Sequence, residues 1–115
     1  MGITTHKTDP MQPCIDACTR CTQACYECFE ACLNEPDVAQ RRTCIATLAE
    51  CALVCQTNTA LMSMSSKSTR AYCSLCADVC DRCARECGMF KEEHCRLCAD
   101  TCLKCAEECR QMAKM

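Results

Sequence analysis

The chain has 115 residues and a net charge of −2, and 19 residues are cysteine against two glycines, three prolines, two tyrosines, two phenylalanines and no tryptophan. That length fits one domain, the charge balance supplies no basic stripe for a nucleic-acid partner, and no apolar run approaches the ~20 residues of a membrane span. With so few large side chains, an ordinary packed core is excluded as well.

Residues 1–12 are polar and lack both an apolar signal core and a twin-arginine pair. They are expected to form a flexible N-terminal segment, and the chain to reside in the cytoplasm. Residues 13–115 are then one domain. Gln12-Pro13 suits a first helical turn, where the missing proline N–H would be unpaired anyway. From there cysteines fall at Cys14, Cys18, Cys21, Cys25, Cys28 and Cys32, spaced alternately by four and three. That alternation is the inward seam of a helix in a bundle, and Asp16, Arg20, Gln23, Glu27 and Glu30 mark its solvated side.

Asn34 to Asp37 breaks this helix, with Pro36 near the start of the next. Residues 41–55 keep the register as Arg41, Cys44, Leu48, Cys51 and Cys55. Ser63 to Ser68 offers caps for a third helix carrying Cys73, Cys76, Cys80, Cys83 and Cys87, and Gly88 suits the position that ends it. A fourth helix is expected from near Phe90 to about Ala113, with Cys95, Cys98, Cys102, Cys105 and Cys109. The unit C-x2-C-x3-C-x2-C-x3-C thus occurs at 18–32, 73–87 and 95–109. Short connections force antiparallel neighbours. The expected fold is all-α, an up-down-up-down four-helix bundle with a cysteine-lined core.

Ile15, Tyr26, Phe29, Leu33, Leu75, Val79, Leu97 and Leu103 lie beside the seam, where helix–helix packing is their expected role; any left exposed would suit self-association. Antiparallel threading collects Met11, Met62, Met64, Met112 and Met115, with His6 and Asn58, at one end, and Arg41, Arg42, Met89 and His94 at the other. Methionine there is expected to act as an apolar plug.

Cysteine at this density ordinarily signals a secreted disulfide scaffold. An odd count, a polar start and helical spacing argue against that. Eight pairs have C-x3-C spacing, which stacks Cβ atoms roughly 5–6 Å apart on one face and permits near-linear S–metal–S coordination. Soft Cu(I), which accepts two or three thiolates, fits such a seam. Zn(II) asks for closed tetrahedra, and four or five Zn(II) among nineteen thiolates would leave about nine or ten buried negative charges. Iron–sulfur motifs gather cysteines in loops, and no nucleophile–base constellation is present. The expectation is a non-enzymatic, high-capacity Cu(I) store holding many ions per monomer; the alternative is a zinc-buffering or redox-responsive thiol protein.

The six-cysteine ladder of the first helix, together with His94-Cys95-Arg96-Leu97-Cys98 and Cys102-Leu103-Lys104-Cys105-Ala106-Glu107-Glu108-Cys109-Arg110, resembles the bacterial copper storage proteins of the cytosolic, cysteine-rich branch. The resemblance covers nearly all of the chain after Pro13. It implies Cu(I) held by the seam thiolates, a storage or detoxification role, and assembly into homotetramers. It also implies a histidine at one mouth of the bundle, which matches His94 as a further ligand. Arg41 and Leu48 depart from the pattern, and Leu48 is expected to interrupt the second helix's row of sites.

Overall fold

The cysteine ladders lie on four helices in the computed structural model, which describes residues 2–115: α1 (Gln12–Leu33), α2 (Arg42–Ser63), α3 (Thr69–Cys87) and α4 (Glu93–Lys114). Single 3-10 turns, Asp9–Met11 and Val38–Arg41, lead into α1 and α2, and no strand is present among the described residues. Helices of this length span about 33 Å. The short connections 34–41, 64–68 and 88–92 reverse the chain each time, so α1 packs against α2 and α4, and α3 against the same two. The bundle is antiparallel and up-down-up-down.

All nineteen cysteines are buried, none more than 2% exposed. Leu48, Met62 and Val79 are the only larger apolar side chains in the fully buried set, and Ala52, Ala77, Ala84 and Ala106 complete it. A core of small thiols and alanines brings the helix axes close. The consequence shows on the flanks. Val79 is buried, and Ile15 and Phe29 pack half-buried against the core. Tyr26, Leu33, Leu75, Leu97 and Leu103 instead stay 42–58% exposed, contrary to the packing role expected of them. Each stands one residue from a seam cysteine, a rotation of about 100°, as do Ile15, Phe29 and Val79, so that position lies at the margin of the narrow thiol seam and is enclosed only in part.

Residues 38–63 form the one stretch among those described that is long and apolar enough to cross a membrane, with a mean hydropathy of 1.2. No such stretch was expected. Its apolar residues include the buried seam of Cys44, Leu48, Cys51, Ala52, Cys55 and Met62, with Ile45 and Val54 packed half-buried against the core and Leu53 58% exposed.

The helix ends follow local chemistry that differs in detail from expectation. Gly88 ends α3 with φ −64°, a right-handed conformation, and its N–H donates to the Ala84 carbonyl at 2.9 Å. The left-handed position lies in the α2–α3 turn, at Ser65 with φ 52°. There the Ser65 N–H donates to Met62 O at 3.0 Å and the Ser66 N–H to Leu61 O at 2.9 Å, closing α2 in the pattern usually built on glycine. Ser68 precedes α3 without a side-chain cap; the Thr69 hydroxyl donates to Ser66 O at 2.8 Å instead. α4 starts at Glu93, later than Phe90, because Glu92 is extended (φ −62°, ψ 145°) and the Phe90 ring is drawn under the Arg41 guanidinium, 4.4 Å from the ring centroid. Before α1, Asp9 accepts from the Gly2 N–H at 2.6 Å and pairs with His6 at 3.0 Å.

A serine in the left-handed region bears a steric cost of roughly 1 kcal/mol that glycine avoids. Ser65→Gly is therefore expected to stabilise the metal-free, reduced protein by about that amount in chemical denaturation; a loss of stability would contradict this account of the turn.

Candidate metal centre

Antiparallel helices in the same three–four register bring their sulfurs into zippers. Between α1 and α4, Cys14 and Cys18 lie 3.6 and 3.7 Å from Cys109, Cys18 lies 3.6 Å from Cys105, and Cys21 and Cys25 lie 3.7 and 3.8 Å from Cys102. The row continues with Cys25–Cys98 at 4.0 Å, Cys28–Cys95 at 3.9 Å and Cys32–Cys95 at 3.8 Å. Between α2 and α3, Cys44–Cys87, Cys51–Cys80, Cys55–Cys76 and Cys55–Cys80 fall at 3.9, 3.8, 3.8 and 3.6 Å. Cys55 also reaches Cys105 at 3.9 Å, joining the two ladders across the core.

Metal-sized groups emerge from this lattice. Ligand atoms within 4.8 Å of one another occur in Cys18/Cys76/Cys105/Cys109, Cys21/Cys55/Cys80/Cys105, Cys21/Cys25/Cys51/Cys102, Cys28/Cys32/His94/Cys95 and Cys28/Cys87/Cys98. Cys105, Cys21 and Cys28 each belong to two groups, so the sites run together instead of standing as closed tetrahedra. With a metal–sulfur bond of ~2.3 Å, sulfurs are ~4.6 Å apart in a linear site and ~4.0 Å apart in a trigonal one. The observed 3.6–4.0 Å contacts span the trigonal edge and the ~3.8 Å edge of a tetrahedral site, and all are shorter than a linear pair. Of the C-x3-C pairs, Cys21/Cys25, Cys28/Cys32 and Cys105/Cys109 approach within 4.0 Å. The closest pairs bridge helices, whereas the spacing had favoured sites within one helix.

Protonation in the empty core is set by burial and by thiol-to-thiol hydrogen bonds. Burial pushes the Cys95 thiol up to about 12, and Cys55, Cys102 and Cys109 are raised by hydrogen bonds to neighbouring thiols. Cys73 is drawn down to about 4 by hydrogen bonds from Cys109 and Cys14, with the Asn58 amide adding to the effect. Asn58 is fully buried on the α2 seam, three residues after Cys55. Its Nδ2 donates to Cys18, Cys73 and Cys109 at 3.5, 3.5 and 3.7 Å, and its Oδ1 accepts from Cys73 at 3.6 Å. Beyond it Met62 is buried, and Met11 and Met112 pack against the core as an apolar plug, while Met64 and Met115 point outward. His6 is 74% exposed and remote from any thiol group.

The other mouth is charged. His94 Nδ1 lies 3.4 Å from Cys28 Sγ and 3.5 Å from Cys95 Sγ, while Nε2 pairs with Glu35 Oε2 at 2.8 Å. A carboxylate on Nε2–H leaves the Nδ1 lone pair facing the thiols, the usual arrangement behind a metal-bound imidazole. Beside it Arg41 is 1% exposed. Its Nε donates to Asp37 at 2.6 Å, its Nη2 to Glu92 at 2.6 Å, and its Nη1 to Cys32 and Cys95 at 3.7 and 3.5 Å. These hydrogen bonds, that to Asp37 first, hold the guanidinium's pKa above its ordinary value, and Arg41 in turn holds both carboxyls below theirs. Glu35, Asp37, Phe90 and Glu92 had no role in the sequence reading, because they lie in connections that carry no periodic signal.

Leu48 occupies the α2 seam fully buried. The group Cys28/Cys87/Cys98 draws on α1, α3 and α4 and on nothing from α2, and Cys44 stands outside every group. Leu48→Cys is therefore expected to raise saturating Cu(I) by about one ion, counted by anaerobic titration; an unchanged count would mean that leucine interrupts nothing. A pH dependence also follows. Asp37 and Glu92 have folded-state values below their ordinary 3.8 and 4.5, so their contribution is present above those values and lost as pH falls through the folded ones. Between about pH 5 and about pH 3 the metal-free protein should lose more thermal stability than Arg41→Met, which lacks the pairing.

Comparison with known proteins agrees with this geometry. The family described as Copper storage protein matches residues 7–114. The chain is 41% identical over 83 residues to an uncharacterized cysteine-rich protein, YhjQ, of Bacillus subtilis, covering 72% of this chain and 77% of that protein. It resembles the structure of a Cu(I)-bound copper storage protein, BsCsp3, at 42% identity and a TM-score of 0.85, over 89% of this chain and 96% of that one. It also resembles a cytosolic copper storage protein from Streptomyces lividans with five coppers, at 39% identity and a TM-score of 0.90, over 95% and 96%. With a buried thiol lattice running the length of a four-helix bundle, the chain belongs to the copper storage protein family.

Proposed function

We propose that this protein stores Cu(I) at high capacity, and so detoxifies it, by thiolate coordination along the bundle core. The observation that carries the reading is the run of shared thiol groups, in which Cys21, Cys28 and Cys105 each serve two sites. Thiolates that bridge neighbouring sites are what a soft monovalent ion accepts, at nearly one positive charge per sulfur. Zn(II) in the same lattice would leave buried negative charge with Arg41 as the only cation among the buried residues. The solved relatives described as Cu(I)-bound and copper-loaded support the choice of metal.

The ligand set is the nineteen cysteines with His94 as a twentieth donor at the charged mouth. The role is non-catalytic: the thiols are buried, and the two that face an imidazole, Cys28 and Cys95 beside His94, belong to a group of donors spaced for a metal ion. The protein acts in the cytoplasm, as the Streptomyces relative described as cytosolic does, and assembles as a homotetramer, to which the exposed Leu33, Leu75 and Leu103 supply apolar contact.

Anaerobic titration of the reduced protein with Cu(I) against a competing chelator tests the reading. Saturation is expected near one ion per thiol, roughly 17–22 ions per monomer. Protons should be released as buried thiols such as Cys95 become thiolates. Saturation at four or five ions would favour tetrahedral zinc sites and replace the storage reading by the zinc-buffering one.

A further inference from the structure

Copper must reach a core in which every thiol is buried. At one end Met62 and Asn58 are fully buried, with Met11 and Met112 packed over them. At the other the Arg41 guanidinium lies across the axis, 1% exposed, bonded to two carboxylates and two sulfurs. The opening is on the side. A groove of about 340 Å³ runs between α1 and α4, and Ala24, Cys28, His94, Cys98 and Thr101 are among the residues that line it. Cys98, at 2%, is the most exposed of the nineteen cysteines, and His94 is 28% exposed.

We infer that Cu(I) enters and leaves the bundle sideways through this α1–α4 groove, past His94 and onto Cys28 and Cys98, while Arg41 keeps the axial mouth shut. The inference rests on the copper-storage reading and deepens it. Three features of the groove support it. Cys28 belongs both to the His94 group and to the Cys28/Cys87/Cys98 group, so an ion captured there has two thiol groups within reach. Cys98 lies 4.0 Å from Cys25, a member of the next group inward, so the floor of the groove also connects to the centre of the row. Glu27 and Glu93 line the groove against the single cation Arg20, a balance that favours an incoming cation. Exchange from thiolate to thiolate then needs no separation of helices. It follows that an assembly of several copies leaves the α1–α4 face open.

Two experiments test the route. The first supplies Cu(I) as its weak acetonitrile complex to reduced protein and follows both the rate of loading and the final count. Thr101→Phe fills the groove and sacrifices one intrahelical bond, from the Thr101 hydroxyl to Leu97 O at 2.9 Å. It should slow loading by about tenfold or more with the same count, and Arg41→Ala added to it should restore speed by opening the axis. Loading of Thr101→Phe at the unaltered rate would overturn the route, and failure of Arg41→Ala to restore speed would overturn the role given to Arg41. The second experiment needs no variant. The metal-free protein is alkylated with less than one equivalent of iodoacetamide and its peptides are mapped. Label is expected first on Cys28 and Cys98; label first on Cys32 and Cys95, or on Cys14 and Cys73, would place access at an end and overturn the proposal. Failure of the storage reading itself would show separately, as a low final count in the unaltered protein.

Discussion

Sulfur–sulfur contact between antiparallel helices is the constraint on which the rest of this structure depends. A seam of leucines would hold the same helices apart by large, interdigitating side chains and would leave an inert core. A seam of cysteines brings facing sulfurs to 3.6–4.0 Å. That separation serves two ends. In the reduced protein the thiols hydrogen-bond one another, so the buried sulfurs are satisfied. In the presence of a soft cation the same spacing is that of thiolates sharing one metal ion. Metal binding therefore asks for loss of protons and small side-chain rotations, and the backbone is already in place. Any ion that binds the folded core and not the unfolded chain adds to stability by mass action.

The ends of the bundle solve the closure problem by opposite means. The end formed by the start of α1 and the close of α4 uses apolar volume, with Met62 buried and Met11 and Met112 packed over the core. Just inside it the Asn58 amide satisfies three sulfurs at once. The other end uses charge. Arg41 takes a seam position where a cysteine would otherwise stand, and it survives burial because Asp37 and Glu92 neutralise it and Phe90 covers its face. A cation at that position repels incoming Cu(I) along the axis. His94, its Nε2 held by Glu35, turns Nδ1 toward Cys28 and Cys95 at the side instead. The two ends and the flank are thus chemically distinct, although the four helices are near copies of one another.

Small core residues have a cost in burial area, and the protein meets it by length and by closeness. Four long helices pack along most of their extent, with alanines such as Ala52, Ala77 and Ala106 buried where the axes approach. The large apolar residues that the narrow core displaces remain on the outside, Leu97 and Leu103 more than half exposed. Exposed leucines at regular intervals on a helical bundle are a surface suited to a second copy of the chain. The thiol lattice inside and the exposed apolar residues outside thereby have one physical origin in the size of the cysteine side chain.

Most of the fold and of the thiol set was legible in the sequence, because a three–four ladder admits one secondary structure and one facing direction. The order of helices, their antiparallel threading, the burial of every cysteine, the odd positions Arg41 and Leu48, and a copper-storing chemistry all follow from spacing, from short connections and from resemblance. The register between helices did not. A helical ladder says which face a cysteine is on but leaves the axial offset of the partner helix open. The pairing of Cys18 with Cys105 and Cys109, or of Cys55 with Cys76 and Cys80, was therefore decided by packing alone. Connections were equally silent, since Glu35, Asp37, Phe90 and Glu92 carry no periodic signal. They acquire their roles around Arg41 and His94 only because two separate loops meet at one end of the bundle. Local spacing determines what a helix offers; which atoms it meets is a property of how the whole chain closes on itself.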